Sequence, residues 1–319
     1  MAINRRMQVL ALAALMCAIP NTSKAGIEVS INIAPPVLPV YTQPPCPQDG
    51  YLWTPGYWAW GPAGYYWVPG VWVAPPRVGV LWTPGYWGFG GGIYAWHAGY
   101  WGPHVGFYGG VNYGFGYAGV GFIGGVWAGN AFRYNTAVVS VNTTVVRNVY
   151  VDRTVINNTV VNRTSFNGPG GIAARPTPQE ALATHEQHFQ PTANQISHEQ
   201  VASRDRSQLA SVNNGRPGTA AMDSVNGRRF NQQGRIANGV ASGRLNAAET
   251  RNLETREANV NHEVRTDRAA NGGTLTPQER AKVNNQQNNL SKSIYNDKHN
   301  APKTAKAKPA EKENEHERK

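Results

Sequence analysis

Four tryptophan-flanked units recur at nearly constant spacing in the N-terminal half of the chain. They read WTPGYW (53–58), WVPGVW (67–72), WTPGYW (82–87) and WHAGYW (96–101), and their starts lie 14, 15 and 14 residues apart. Proline followed by glycine suits the two middle positions of a type II turn, so we expect the centre of each unit to reverse the chain. A second glycine- or proline-rich stretch follows each unit. The short aromatic and β-branched arms between these breaks predict an antiparallel β meander.

The tryptophans of the four units admit two hypotheses. In the first, each pair faces across its turn and forms the core of a small sheet, because aromatic pairs stabilise strands too short to persist alone. In the second, part of the set forms an open aromatic face that stacks on polysaccharide or peptidoglycan, since tryptophan is rarely buried completely. The second hypothesis predicts that one ring per unit stays partly exposed. The candidate binding residues are the eight tryptophans of the units: Trp53, Trp58, Trp67, Trp72, Trp82, Trp87, Trp96 and Trp101.

The units and their surroundings resemble a known family. The four units, together with PPRVGVLWTPGYWG, WHAGYWGPHVGFYGGVNYGFGYAGVGF and SFNGPGGIAARPTPQE, are similar to segments of exported bacterial proteins with YXWGXW or WXXGXW repeats. The resemblance runs from about Pro35 to about Gly218. It implies an exported protein, and it transfers no catalytic residue because that largely uncharacterised family has none assigned.

Residues 1–25 have the organisation of a secretory signal peptide. A basic head and an apolar run over 7–19 precede small residues and a cleavage point before Gly26. The apolar run is too short for a permanent membrane span. We therefore expect an exported protein, located in the periplasm, at the outer-membrane surface or in the medium. Its one remaining cysteine, Cys46, is then either a loop thiol or part of an intermolecular disulfide.

The rest of the N-terminal half divides by composition. Residues 26–50 predict a proline-rich extended linker, residues 51–130 an aromatic-repeat and glycine-rich β module, and residues 131–168 a β segment rich in valine, threonine and asparagine. Two alternatives stay open for 105–129. Glycine alternating with aromatic and β-branched residues favours strands or loops, whereas glycine at four-residue spacing is typical of a glycine-zipper hairpin of membrane helices.

The C-terminal half is polar and helical in pattern. Residues 169–222 predict a polar helical region, and a capping box on Thr177 predicts the start of its first helix. Residues 223–299 contain a 30-residue repeat that predicts a pair of packed helices. Residues 300–319 predict a disordered charged tail.

The 30-residue repeat places glycine, a hydrophobic residue and glutamate at the spacing of a degenerate EF-hand loop. The earlier positions of both copies lack carboxylates, so a hard cation would have too few ligands. We expect Glu249 and Glu279 to form capping boxes instead, with N-caps at Asn246 and Thr276.

Histidines of the polar region are candidate zinc ligands. His185 and His188 lie three residues apart, with His198 and Glu199 downstream, but the catalytic HExxH spacing is absent. We predict neither a metal site nor a cofactor.

The charge of the chain points to an anionic partner. The formal charge is +11, yet only Glu28, Asp49 and Arg77 are charged between residues 26 and 130, so all basic residues of the mature chain except Arg77 follow residue 130. For an exported chain the expected partner is an envelope polysaccharide or another anionic surface polymer, not a specific nucleic acid. Peripheral membrane contact and self-association stay open.

The sequence predicts a mixed, non-compact fold with an aromatic and glycine-rich antiparallel β meander, a C-terminal α-helical region and disordered ends. The aromatic half has too few acids and histidines for a catalytic cleft, so we predict no enzyme. The expected function is that of a non-catalytic exported envelope or surface protein, structural or adhesive, which attaches through its aromatic repeats. The alternatives are a carbohydrate- or peptidoglycan-binding module and an outer-membrane-inserting glycine-zipper protein.

Overall fold

The computed structural model describes residues 27–143, 146–156, 163–222 and 224–300. The predicted signal peptide, and all of the predicted tail after Asn300, lie outside the described residues. Short, mostly antiparallel strands with aromatic clusters fill the N-terminal part and helices fill the C-terminal part, so the predicted fold class is confirmed.

The strands are short and belong to several small sheets. Along the described chain they are β1 (Ile27–Ile31), β2 (Leu52–Thr54), β3 (Tyr57–Gly61), β4 (Gly64–Val68), β5 (Val71–Val73), β6 (Leu81–Thr83), β7 (Tyr86–Gly90), β8 (Ile93–His97), β9 (Tyr100–Gly102), β10 (Asn112–Gly114), β11 (Tyr117–Ala118), β12 (Gly125–Ala128), β13 (Ala131–Asn135), β14 (Val149–Tyr150) and β15 (Phe166–Asn167).

The tryptophan units form two long hairpins. In the first, β3 pairs with β4 and β2 pairs with β5, so that two successive units are the two arms of one hairpin. In the second, β7 pairs with β8 and β6 pairs with β9 in the same way. The chain reverses at the hairpin tips, after Gly61 and after Gly90.

The prediction that the Pro-Gly centres reverse the chain is therefore wrong. Pro55 and Gly56 lie opposite Pro69 and Gly70, between the paired residues Thr54–Val71 and Tyr57–Val68. The β pairing between the two arms of the hairpin is interrupted at these four residues. A type II turn needs positive φ at its glycine, and none of Gly56, Gly70, Gly85 and Gly99 has it. Each Pro-Gly pair therefore interrupts its strand without reversing the direction of the chain.

The glycine-rich segment 105–129 contains strands and turns. It includes β10, β11 and β12, and its turns use glycines at positive φ, such as Gly116 at 97° and Gly119 at 103°. These backbone conformations are incompatible with a helix, so the glycine-zipper alternative is wrong and the strand-or-loop alternative is confirmed. No described helix has both the length and the apolar character needed to cross a membrane.

The proline-rich segment before the repeats is part of the core and not a free linker. The carbonyl oxygens of Val37 and Pro44 accept hydrogen bonds from the indole N–H groups of Trp58 and Trp72, at 3.2 and 2.8 Å. Leu38 is buried beside them. The predicted proline-rich linker thus packs against the repeats, because their tryptophans need acceptors that this segment supplies.

Residues 131–168 join the same core. β12 pairs with β13, which crosses the predicted boundary at residue 130, and β15 pairs in parallel with β7 of the second hairpin. One hydrophobic cluster runs from Leu38 to Val146.

The helices are α1 (Pro178–Ala183), α2 (Ala193–Arg204), α3 (Ala210–Asn213), α4 (Ser224–Ala241), α5 (Ala247–Ala270) and α6 (Pro277–His299). Short 3₁₀ turns cover Thr154–Ile156 and Arg206–Gln208. The helix α1 starts at the predicted capping box of Thr177, and α2 starts at a further one on Thr192.

The last three helices pack together. Both predicted capping boxes are present, on Asn246 and Thr276, and α5 packs on α6 through their matched apolar positions. The prediction of a helical pair omits a third helix, however. Val225 and Ile236 of α4 cover the apolar surface that α5 and α6 leave open. The helical pair is therefore part of a three-helix bundle.

Candidate functional site

The glycine of each unit receives a tryptophan from the opposite arm of its hairpin. A methyl group on Gly56 would lie 2.4 Å from Cζ2 of Trp67, and one on Gly70 would lie 2.4 Å from Cζ2 of Trp53. Real carbon–carbon contacts are about 3.5 Å or longer, so only glycine fits under these rings.

The second hairpin repeats this arrangement. A methyl group on Gly85 would lie 2.4 Å from Cζ2 of Trp96, and one on Gly99 would lie 2.5 Å from Cζ2 of Trp82. The first tryptophan of a unit therefore covers the glycine of the partner unit. This reciprocal contact explains the fixed spacing between tryptophan and glycine.

The second tryptophan of each unit packs against the tryptophan ring that covers the glycine of its own unit. The first tryptophan of one unit pairs across the strands with the second tryptophan of the other, with ring centroids 5.2 to 5.4 Å apart: Trp53–Trp72, Trp58–Trp67, Trp82–Trp101 and Trp87–Trp96. Such tilted or edge-to-face pairs add stability beyond the area they bury.

Burial favours the core hypothesis for the tryptophans. Seven of the eight are exposed by 7% or less, and Trp96 alone is half-buried. The expectation of one partly exposed ring per unit is wrong for the first three units, because both rings of each unit lie in the hydrophobic core cluster. The indole N–H of Trp67 donates to the Ala220 carbonyl at 2.9 Å, and that of Trp101 to Gln195 Oε1 at 2.8 Å.

The centres of all four units converge on one cavity. It has a volume of about 210 Å³ and lies between the two hairpins and α2. The third residue of each unit lines it: Pro55, Pro69, Pro84 and Ala98.

Aromatic side chains form part of the cavity wall. Trp96, the half-buried tryptophan, stacks on Tyr57 with ring centroids 5.2 Å apart and planes 17° apart. Trp82 also lines the wall, and Tyr113 reaches it from the glycine-rich segment, with its hydroxyl donating to the Gly85 carbonyl at 2.6 Å.

The helix α2 supplies the polar side chains of the cavity. Both Tyr57 and Tyr66 donate their hydroxyls to the Glu199 carboxylate, at 3.0 and 3.4 Å. The imidazole Nε2 of His198 lies 2.7 Å from the Pro69 carbonyl, and burial lowers the pKa of this histidine. The ring is therefore neutral at pH 7, with Nε2–H donating to the carbonyl.

Sequence reasoning did not identify these polar residues as part of one site. No sequence motif marks Gln195, which also lines the cavity, and the pattern around His198 and Glu199 indicates at most a weak zinc site. Their signal is slight because α2 is a polar helix without a strong apolar stripe.

The histidines and glutamates weighed as metal ligands have other roles. His188 stacks on Tyr100 with centroids 3.7 Å apart, and His185 is exposed. Glu249 and Glu279 accept backbone N–H groups in their capping boxes. No group of three His, Cys, Asp or Glu side chains able to hold a metal ion occurs in the described parts of the chain.

Hairpins locked by reciprocal tryptophan–glycine contacts around a shared cavity define a repeat-built β module. The WXXGXW repeat is the family whose model matches this chain, in two copies at residues 49–73 and 77–101. The chain thus carries the repeat that its sequence predicted, and each matched copy is one complete hairpin with two tryptophan units. A comparison with curated proteins found no match, and a comparison with solved structures found none.

Proposed function

We propose that the protein is a non-catalytic, exported attachment protein of the cell envelope or surface, and that its repeat module holds a sugar residue of a surface polysaccharide in the central cavity. The observation that supports this proposal is the convergence of four unit centres, the half-buried Trp96 and the polar side chains of α2 on one cavity.

The chemistry of the cavity suits a sugar. A pyranose ring presents C–H groups on its faces and hydroxyl groups at its edge. Tyr57 and Trp96 offer aromatic surface with a negative face, which complements C–H groups. The Gln195 side chain, whose oxygen already accepts from Trp101 and Thr192, offers its amide N–H groups, and Glu199 offers its carboxylate; both complement hydroxyls. A mostly apolar pocket with a few placed polar groups is the usual form of a small-ligand site.

The polar inventory of the cavity supports binding without catalysis. Among the described residues that line it, Glu199 is the one carboxylate, whereas hydrolysis of a glycosidic bond generally uses two. The Nε2 atom of His198 is engaged with the Pro69 carbonyl at 2.7 Å.

Filling the cavity tests the proposal. Ala98→Leu places a larger side chain in the cavity, whereas Ala63→Leu makes the same change at an exposed hairpin tip. Binding of peptidoglycan fragments and envelope oligosaccharides is followed by tryptophan fluorescence, because Trp96 and Trp82 line the cavity. We expect Ala98→Leu to abolish binding and Ala63→Leu to leave it unchanged, both with wild-type circular dichroism.

Equal sugar binding by the two variants would refute the cavity as the site. Failure of every fragment to bind would refute the sugar as ligand.

Location is tested separately. N-terminal sequencing of the protein from fractionated cells should give a chain that begins at Gly26 in the periplasm, the outer membrane or the medium. Recovery of the uncut chain from the cytoplasm would contradict export.

A further inference from the structure

A basic cleft lies where the three-helix bundle meets the β module. It has a volume of about 420 Å³, with α4 and α6 on one side and the loop over residues 47–51 on the other. Arg228 and Arg235 of α4 and Lys292 of α6 line it. This cleft is separate from the cavity between the hairpins.

The cations of the cleft have neutral hydrogen-bond partners. Arg228 donates to the side-chain oxygens of Asn284 and Asn288, and Arg235 donates to the Gln48 side chain at 3.4 Å and the Ser291 carbonyl at 3.2 Å. Among the described residues, neither arginine forms an ion pair, and nor does Lys292.

Further positive charge lies close by. Burial lowers the pKa of Lys298, and repulsion from Arg235 and Arg244 lowers it further. Burial also lowers the pKa of Arg228. Cations that repel one another and are partly desolvated are costly to hold together unless an anion joins them.

We propose that this cleft binds a phosphate group. Guanidinium groups bind oxyanions through paired, charge-assisted hydrogen bonds, and lysine adds a point charge suited to phosphate. A phosphate group near neutral pH carries up to two negative charges, which matches several cations better than one carboxylate does. Asn288 and both arginines line the cleft. The proposal is independent of the sugar site.

The test compares two pairs of substitutions in the full chain. Arg228→Gln with Arg235→Gln removes two charges from the cleft, and Arg153→Gln with Arg175→Gln removes two exposed charges elsewhere. Isothermal titration with inorganic phosphate and soluble polyphosphate measures affinity. We expect the cleft pair to weaken binding by about tenfold for each lost charge-assisted contact and the control pair to leave it nearly unchanged. Equal weakening by both pairs would overturn the proposal.

Further probes separate the sources of the phosphate. Vesicles of phosphatidylcholine with phosphatidylglycerol test a lipid headgroup, and binding lost with the cleft pair alone would support that source. Polygalacturonate tests a polymer with carboxylates only, and cleft-dependent binding as tight as that of polyphosphate would overturn the choice of phosphate. If the cleft pair fails to fold, the exposed Lys292→Gln replaces it, and phosphate binding unchanged in that variant would refute the site.

Discussion

Adding one methyl group at Gly56 tests the tryptophan–glycine contact directly. In Gly56→Ala the new carbon would lie 2.4 Å from Cζ2 and 2.8 Å from Cε2 of Trp67, and 2.8 Å from the Val68 carbonyl oxygen. The carbonyl belongs to a paired strand and the ring is fully buried, so neither can move aside easily. The hairpin must open or the ring must leave its site.

The expected cost is large for one methyl group. Overpacking a dense core costs about 1–3 kcal/mol. Displacing Trp67 would also lose its hydrogen bond to the Ala220 carbonyl, which contributes about 1 kcal/mol. We expect Gly56→Ala to destabilise the module by about 2–4 kcal/mol, a large part of the stability of a typical domain. Gly90→Ala is the matched control, because its methyl group would meet nothing within 4 Å and its φ is not positive.

Urea unfolding followed by tryptophan fluorescence measures both variants. A double-mutant cycle with Trp67→Phe, which shortens the ring, should make Gly56→Ala less costly, with a coupling energy of about 1–2 kcal/mol. Gly56→Asn distinguishes steric packing against the Trp67 ring from a requirement for positive φ at this position. Asparagine tolerates positive φ, but its side chain would collide with the ring as alanine does. Equal costs for Gly56→Ala and Gly90→Ala, or a mild effect of Gly56→Asn, would refute the packing explanation.

Three other groups give simple tests. Burial raises the pKa of Glu257 to about 7 from an ordinary value of 4.5, so the bundle should lose stability as pH rises from 4.5 through 7. Glu257→Gln should remove that loss, a difference of at most about 3 kcal/mol at pH 8 in chemical unfolding, and an unchanged pH dependence would contradict it. Burial raises the pKa of Cys46 to about 12, so its thiol should react with a disulfide reagent in urea but not in the folded protein. Millimolar calcium should produce neither saturable heat nor a thermal shift, since Glu249 and Glu279 are engaged in capping boxes.

Local signals predicted the elements of the fold, and contacts distant in sequence decided how they pair. The capping boxes of Thr177, Asn246 and Thr276 involve residues three apart, so the sequence alone located these helix starts. A Pro-Gly pair can interrupt a strand in two ways: at a turn that reverses the chain, or at a break within one arm of a longer hairpin. The choice between them depends on the contact of Gly56 with Trp67, eleven positions away.

The candidate site was harder to predict for the same reason. The repeats supply its walls, but its polar groups come from α2, about 120 residues after the first hairpin. Nothing in the local pattern of Gln195 or Glu199 indicates a cavity, because both lie on a helix that is polar throughout. Their role follows from how α2 packs against β4.

The structure also divides the positions of the WXXGXW unit between two tasks. The two tryptophans and the glycine lock one arm of a hairpin to the other, so any change there alters the fold. The third position takes no part in this lock and contacts the cavity in all four units, as Pro55, Pro69, Pro84 or Ala98, whereas the tryptophans and glycines reach the cavity only in the second hairpin. Proline restricts the chain but fills little space, and alanine fills less, so this position sets the size of the cavity while the lock is kept. A repeat built in this way can change the shape of the cavity through a position that its motif leaves unspecified.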